Sequence, residues 1–227
     1  MDKWISVKDR RRKPMKPILF NTDMVRAILE GRKSVTRRVV KPQPRAIYHD
    51  GTIYEDDGYY VIAENQNGAL EQIGLPYRPG DTLYVRETWA PMYPDETSKI
   101  VCGYMYKADD CGLRGEEYQK WYDAHYPNGK DWYWPGIWRP SIHMPKEAAR
   151  LLLRVTAVRV ERLREINCEQ AYKEGCTKPI RFDELWNSTI KPADLPLYSW
   201  DANPWVWVIE FERISREEAL EGGGNNA

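Results

Sequence analysis

The segment Ala149–Val160 constrains the fold more than any other part of the chain. Its apolar residues keep strand parity through Leu151, Leu153, Val155 and Ala157, then change parity to Val158 and Val160. Side chains on a strand alternate between faces, so a parity change inside one strand needs an inserted residue. A β-bulge near 157 and 158 is expected, of the kind that bends a sheet strongly. The closing segment Trp205–Glu212 alternates again, with Trp205, Trp207, Ile209 and Phe211 on the inward face. A third strand is expected over Thr82–Trp89, fed by the turn Arg78-Pro79-Gly80-Asp81. Strands with short helices between them predict an α+β fold built on a small mixed β-barrel, not a parallel doubly wound sheet.

The helices are short and well signalled. Met24, Val25, Ile28 and Leu29 have helical spacing behind Asn21 or Thr22 as N-cap, and Gly31 suits the left-handed position past the helix end. A second helix over Cys168–Glu174 has Asn167 as N-cap, Gln170 at the third position and Gly175 as terminator. A third is expected around Phe182–Ile190. One domain over residues 17–214 follows, with a basic arm at 1–16, insertions at about 45–76 and 91–140, and a flexible tail at 215–227.

The net formal charge is zero, yet residues 1–45 carry 14 Lys and Arg against 4 Asp and Glu, a local +10. Such an arm suits a local polyanion site, RNA or DNA, rather than a wholly basic coating protein. Ten Trp and 15 Tyr stand against 3 Phe, and the stretch Trp121–Trp138 is dense enough to make a stacking wall or a rigid packed loop. Neither a membrane-spanning stretch nor the apolar core of a signal peptide is present in the sequence, so a cytoplasmic protein without a membrane partner is expected. Cys102, Cys111, Cys168 and Cys176 lack C-x-x-C spacing. A metal site made with His125 and His143 is weighed against reduced, packed cysteines, and the latter is preferred.

Chemistry concentrates in Gly31-Arg32-Lys33-Ser34-Val35-Thr36-Arg37-Arg38. Thr36 and Arg38 share a strand face, and Lys33 approaches from the turn. A hydroxyl, an amine and a guanidinium thus converge on one patch. Glu87 has the parity of Leu83, Val85 and Trp89, so its carboxylate should point inward and needs a partner. Glu174 sits at the negative end of its helix, where a carboxylate is either solvated or held by a cation such as Lys33 or Arg38.

The G-x-K-x-x-T-x-R run, the Pro-Gly-Asp turn before a strand, the Ala171-Tyr172-Lys173-Glu174-Gly175 helix end and the closing Trp-Val-Ile-Glu-Phe strand together resemble the ASCH domain family. The long form found in phages and prophages is the nearest, on Tyr84–Trp89 and Trp138–Pro145. That resemblance implies a PUA-like barrel. In small bacterial members it implies an amidohydrolase that removes the acetyl group of N(4)-acetylcytidine, with Lys33, Thr36 and Glu174 as the matching catalytic residues and no cofactor. The expected pocket wall is Arg38, Glu87, Trp138, Arg139 and His143. Thr36 would be the nucleophile, while either Lys33 or Glu174 could serve as the base. Other members of the family bind RNA or DNA, and one is a ribonuclease, so a non-catalytic reader of a modified base or single strand is the alternative.

Overall fold

A computed structural model describes residues 14–48, 53–55, 58–109, 120, 123–124, 133, 135–178 and 181–221. The chain runs β1 (Lys16–Leu19), α1 (Thr22–Leu29), β2 (Val35–Val39), β3 (Ala46–Ile47), β4 (Ile53–Glu55), β5 (Gly58–Glu64), β6 (Leu70–Gly74), β7 (Thr82–Arg86), β8 (Trp89–Met92) and β9 (Gly103–Tyr106). It continues with β10 (Leu152–Arg162), α2 (Cys168–Lys173), α3 (Phe182–Thr189), α4 (Leu195–Tyr198), β11 (Trp205–Ile214) and α5 (Arg216–Glu221). The fold is mixed α+β.

A five-stranded sheet, in the order β1-β7-β10-β11-β2, carries the site. The β1–β7 pair is parallel and the other pairs are antiparallel. The insertion at 45–76 makes its own antiparallel sheet, β3-β5-β4 with β6 on β5, and β8 pairs with β9. The expected small barrel is not closed by backbone pairing among the described strands, because the path has two ends, β1 and β2. Those ends nevertheless meet: Arg38 Nη2 on β2 donates to the Leu19 carbonyl on β1 at 2.8 Å. Four gaps of about 4.8 Å would hold the edges of a flat sheet roughly 19 Å apart, beyond an arginine's reach. The sheet is therefore rolled, and a side chain bridges its seam.

The expected bulge lies between Val155 and Ala157 in the β10–β11 register, which makes Thr156 the extra residue. The Pro-Gly-Asp turn docks against it. Gly80 N donates to Val155 O at 2.8 Å, and Val155 N donates to Asp81 O at 2.9 Å. Gly80 has φ +84°, which glycine adopts without Cβ strain. The buried Asp81 carboxylate accepts from Arg78 N at 2.9 Å and from Lys16 Nζ at 2.6 Å.

β11 is apolar on both faces. Trp207, Ile209 and Phe211 join the main core with Ile18, Phe20, Val25, Leu83, Leu153 and Val158. Val206 and Val208 face a second cluster made with Val35, Leu163, Ala171, Phe182 and Trp186. The inward face read from the sequence was Trp205, Trp207, Ile209 and Phe211; the opposite face is buried as well, because α2 and α3 cover it. α1 has the expected cap, with Asn21 Oδ1 accepting from Met24 N at 2.9 Å, a contact worth about 1 kcal/mol. Asn167 and Gln170 close the expected capping box of α2. Arg216–Glu221, read from the sequence as the start of a flexible tail, forms α5, and Arg216 Nη2 donates to Ala149 O at 3.3 Å. Most of the basic arm, most of the Trp121–Trp138 stretch, Cys111, His125 and residues 222–227 lie outside the described residues.

Candidate active site

Lys33 and Glu174 are brought together by two helix ends that pack on each other. After α1 the chain doubles back through Gly31, φ +74°, and both Arg32 N and Lys33 N donate to the Ala27 carbonyl. α2 ends at Gly175, φ +89°. A Cβ at Gly175 would lie 2.8 Å from Ala27 Cβ and 3.4 Å from Lys33 Cβ. Real Cβ atoms do not approach so closely, so glycine is what lets the end of α2 rest on the end of α1. Lys33 and Glu174 then form an isolated antiparallel bridge, and Ser34 N donates to Lys173 O at 2.9 Å.

The Lys33 amine is closed off from water, with its side chain at 0% exposure. Its Nζ donates to three oxygens, each at 2.8 Å: Val35 O, Glu174 O and Glu174 Oε2. Three donors for three acceptors is the full complement of an ammonium. Burial pushes the amine below the ordinary lysine range; Glu174 opposes that shift, while Arg38 and Arg37 add to it. Glu174 Oε2 is the side-chain acceptor for this amine, and the centroid of the Phe20 ring lies 5.5 Å from Nζ.

Arg37 takes the second oxygen of the same carboxylate, with Nη1 3.1 Å from Glu174 Oε1. It also holds Glu161 Oε1 through Nε at 3.0 Å and Nη2 at 2.6 Å, and Gln170 Oε1 at 3.0 Å. Neither Arg37, Glu161 nor Gln170 was assigned to the site from the sequence. Parity carries the missing signal for Arg37. It lies between Val35 and Val39 on the face of β2 that looks at α2, the same argument that made Glu87 an inward carboxylate.

Thr36 is buried, at 1% exposure, and pairs across the sheet with Ile209 on the main-core face. None of the hydrogen bonds that tie up Lys33, Arg37 and Glu174 involves it. Arg38, on the same face, sits 5.4 Å over the Phe20 ring and is held by Leu19 O.

Glu87, Trp138, Arg139 and His143 make their contacts elsewhere, around β8 and the segment leading into β10. Glu87 lies just past the end of β7 at 1% exposure, and both its oxygens are held by Arg150, at 2.9 Å from Nε and 3.0 Å from Nη2. Arg150 Nη1 holds Asp109 at 2.7 and 2.8 Å, and its guanidinium lies 4.0 Å over the Tyr106 ring. Burial raises the Glu87 carboxyl above the usual range, with Arg150 opposing. Arg139 is exposed, pairs its backbone with Trp89 and places its guanidinium 5.5 Å over that ring. Trp138 receives Lys107 Nζ at 5.2 Å from its ring, and His143 is exposed in a short turn, with its N–H on Pro140 O. These residues border a structural ion network, and their contacts do not run to Lys33.

A cavity of about 260 Å³ opens at the bulge beside β2, lined by Ser34, Thr156, Arg159, Gln170, Lys173 and Phe211 among others. Lys33, Thr36 and Glu174 do not line it. Among the described residues, no group of three or more His, Cys, Asp and Glu could hold a metal ion, and no helix is long and apolar enough to cross a membrane. Cys102, Cys168 and Cys176 are free thiols. Comparison of the chain with protein-family models, with curated proteins and with solved structures finds no match.

Proposed function

We propose that this chain is a PUA-like, ASCH-type amidohydrolase acting on an N(4)-acylated cytosine nucleoside or base. The observation that carries the reading is the 2.8 Å contact between a fully buried lysine amine and the Glu174 carboxylate, 141 residues apart in sequence. A buried lysine whose proton has an acceptor at hand is the kind of group that activates a hydroxyl. Lys33 passes a proton to Glu174 and, as a neutral amine, receives the proton of Thr36. Thr36 Oγ1 bonds to the acyl carbonyl carbon, and the tetrahedral intermediate collapses as the C–N bond breaks and the proton moves to the exocyclic nitrogen. Water then hydrolyses the acyl-threonine and restores the hydroxyl. Arg38, on the Thr36 face, supplies positive charge near the developing oxyanion.

Thr36 is closed to solvent, so turnover on this reading requires the wall over it to part. The seam where Arg38 bridges to Leu19 is the natural opening, since it is a side-chain contact and not a ladder.

The test is incubation of the protein with N(4)-acetylcytidine and release of cytidine followed by loss of the amide chromophore. Turnover that disappears in Thr36→Ala, Lys33→Ala and Glu174→Gln, with each variant folded, supports the reading. A wild-type protein without turnover that binds RNA or DNA oligomers in a steeply salt-dependent manner would replace it with the reader.

A further inference from the structure

We infer that Arg37 is a positioning residue of the Lys33–Glu174 centre, which grips Oε1 of the carboxylate from the helix side so that Oε2 is left for the lysine amine. Its role in turnover rests on the amidohydrolase reading; the grip itself does not.

The geometry is that of a two-sided clamp. Lys33 reaches Glu174 from the turn after α1, and Arg37 reaches it from the α2-facing side of β2. Arg37 is itself held in place, at 3% exposure, with Glu161 on β10 and Gln170 on α2 taking its Nε and Nη2 donors. Gln170 Oε1 also accepts from Asn167 N at 3.2 Å. One guanidinium therefore binds Gln170, the third-position partner in the capping box of α2, and Glu174 at the end of the same helix. Arg37 thus touches both ends of α2, and Glu174 presents Oε1 to Arg37 and Oε2 to Lys33.

The clamp also sets the charge balance around the amine. The groups that face Lys33 are Glu174 from the end of α2 and Arg37 and Arg38 from β2, with the uncharged Phe20 ring closing the fourth side. Arg32, beside it in the turn, is committed to Glu30 and to the Gly175 carbonyl. A carboxylate shared between two cations stabilises each less than it would alone. Sharing with Arg37 therefore eases release of the Lys33 proton, whereas a Glu174 paired with Lys33 alone would hold that proton in place. A guanidinium suits the sharing role because it keeps its own proton and offers a planar fork.

The experiment is an NMR titration of ¹³Cε-labelled lysine in the full chain, with thermal unfolding of every variant as the fold control. Arg37→Gln removes the competing cation, and the Lys33 midpoint is expected to rise by about one pH unit. Glu161→Gln removes the carboxylate that shares Arg37, and the midpoint is expected to move the opposite way. A folded Arg37→Gln protein with the wild-type midpoint would overturn the inference. If Arg37→Gln does not fold, a Glu161→Gln midpoint that stays in place or rises would overturn it instead. No substrate is involved, so the two ideas fail separately. Absent turnover with the expected shifts removes the hydrolase and leaves the clamp. Glu174-dependent turnover with no shift removes the clamp and leaves the hydrolase.

Discussion

Two ion networks among the described residues divide their central group in opposite ways. Around Arg150, one guanidinium is divided between two carboxylates, Glu87 and Asp109, and capped by the Tyr106 ring. Around Glu174, one carboxylate is divided between two cations, Lys33 and Arg37. The Arg150 network is a lock, because a guanidinium does not give up its proton in a protein and both Glu87 oxygens are filled. The Glu174 network contains a lysine, which can lose a proton when buried beside other cations. On the proposed reading, the lysine is the group in these two networks that could exchange a proton.

The comparison breaks most visibly in turnover. Glu174→Gln is nearly isosteric and cannot accept a proton, so hydrolysis of N(4)-acetylcytidine should fall by about 10²–10⁴-fold. Glu87→Gln should act first on stability, since Glu87 meets Arg150 and not Lys33, Thr36 or Glu174. A Glu87→Gln protein that stays as stable as wild type yet loses turnover, beside an active Glu174→Gln, would reverse the assignment of lock and centre.

Next in size is the cost of taking one partner out of each network. Arg150→Met strands Glu87 at 1% exposure without its fork, and breaking a buried pair this way costs about 3–5 kcal/mol. Lys33→Met leaves Glu174 still gripped by Arg37, so a loss of about 1–3 kcal/mol is expected. Urea unfolding of the two variants measures both. Equal losses would mean that Arg37 does not share Glu174 in solution.

The sequence revealed the elements more readily than their meeting points. Asn21, Asn167 and the Pro-Gly-Asp turn act within a few residues of themselves, so local chemistry was enough to find them. The bulge was legible to within a residue or two because it reverses an alternation. Glu87 was legible as an inward, partnered carboxylate, but its partner Arg150 stands 63 positions away and no periodicity links them. The Lys33–Glu174 contact was expected from resemblance alone, since no local pattern connects a turn with a helix end so distant. Arg37 was hidden by attention to the Thr36–Arg38 face, although the opposite face of β2 is buried too. Gly175 was read as a helix terminator, while its closer constraint is the neighbouring Ala27 Cβ, a tertiary fact.

That constraint supplies a smaller and sharper test. Gly31 and Gly175 both have positive φ, but a Cβ at Gly31 meets nothing within 4 Å, whereas one at Gly175 meets Ala27 Cβ at 2.8 Å. Gly31→Ala should cost about 1 kcal/mol from backbone strain alone. Gly175→Ala adds displacement of one helix end against the other, for about 2–3 kcal/mol in total. It should also move Glu174 away from Lys33 and so reduce turnover, which Gly31→Ala should largely spare. Matching effects from the two substitutions would mean that the packing of the helix ends does not set the site.

The smallest effect is a difference in sign with pH. Lys33 has a lowered value in the folded chain. Between that value and the ordinary lysine value of 10.5, the unfolded chain holds a proton that the folded chain has released. Stability contributed at Lys33 therefore rises with pH across that window and is lost as pH falls through the lowered folded value. Glu87 has a raised value. From the ordinary 4.5 upward, the folded chain keeps a proton that the unfolded chain has lost. Stability contributed at Glu87 is thus fully present below 4.5 and declines as pH rises through the folded value. Each slope is bounded by one proton, about 1.4 kcal/mol per pH unit. Unfolding free energies of wild type minus Lys33→Met over the alkaline range, and of wild type minus Glu87→Gln over the acid range, should have opposite slopes. A flat alkaline difference would mean that Lys33 keeps an ordinary affinity for its proton despite its burial, and the amine would then be as locked as the guanidinium of Arg150.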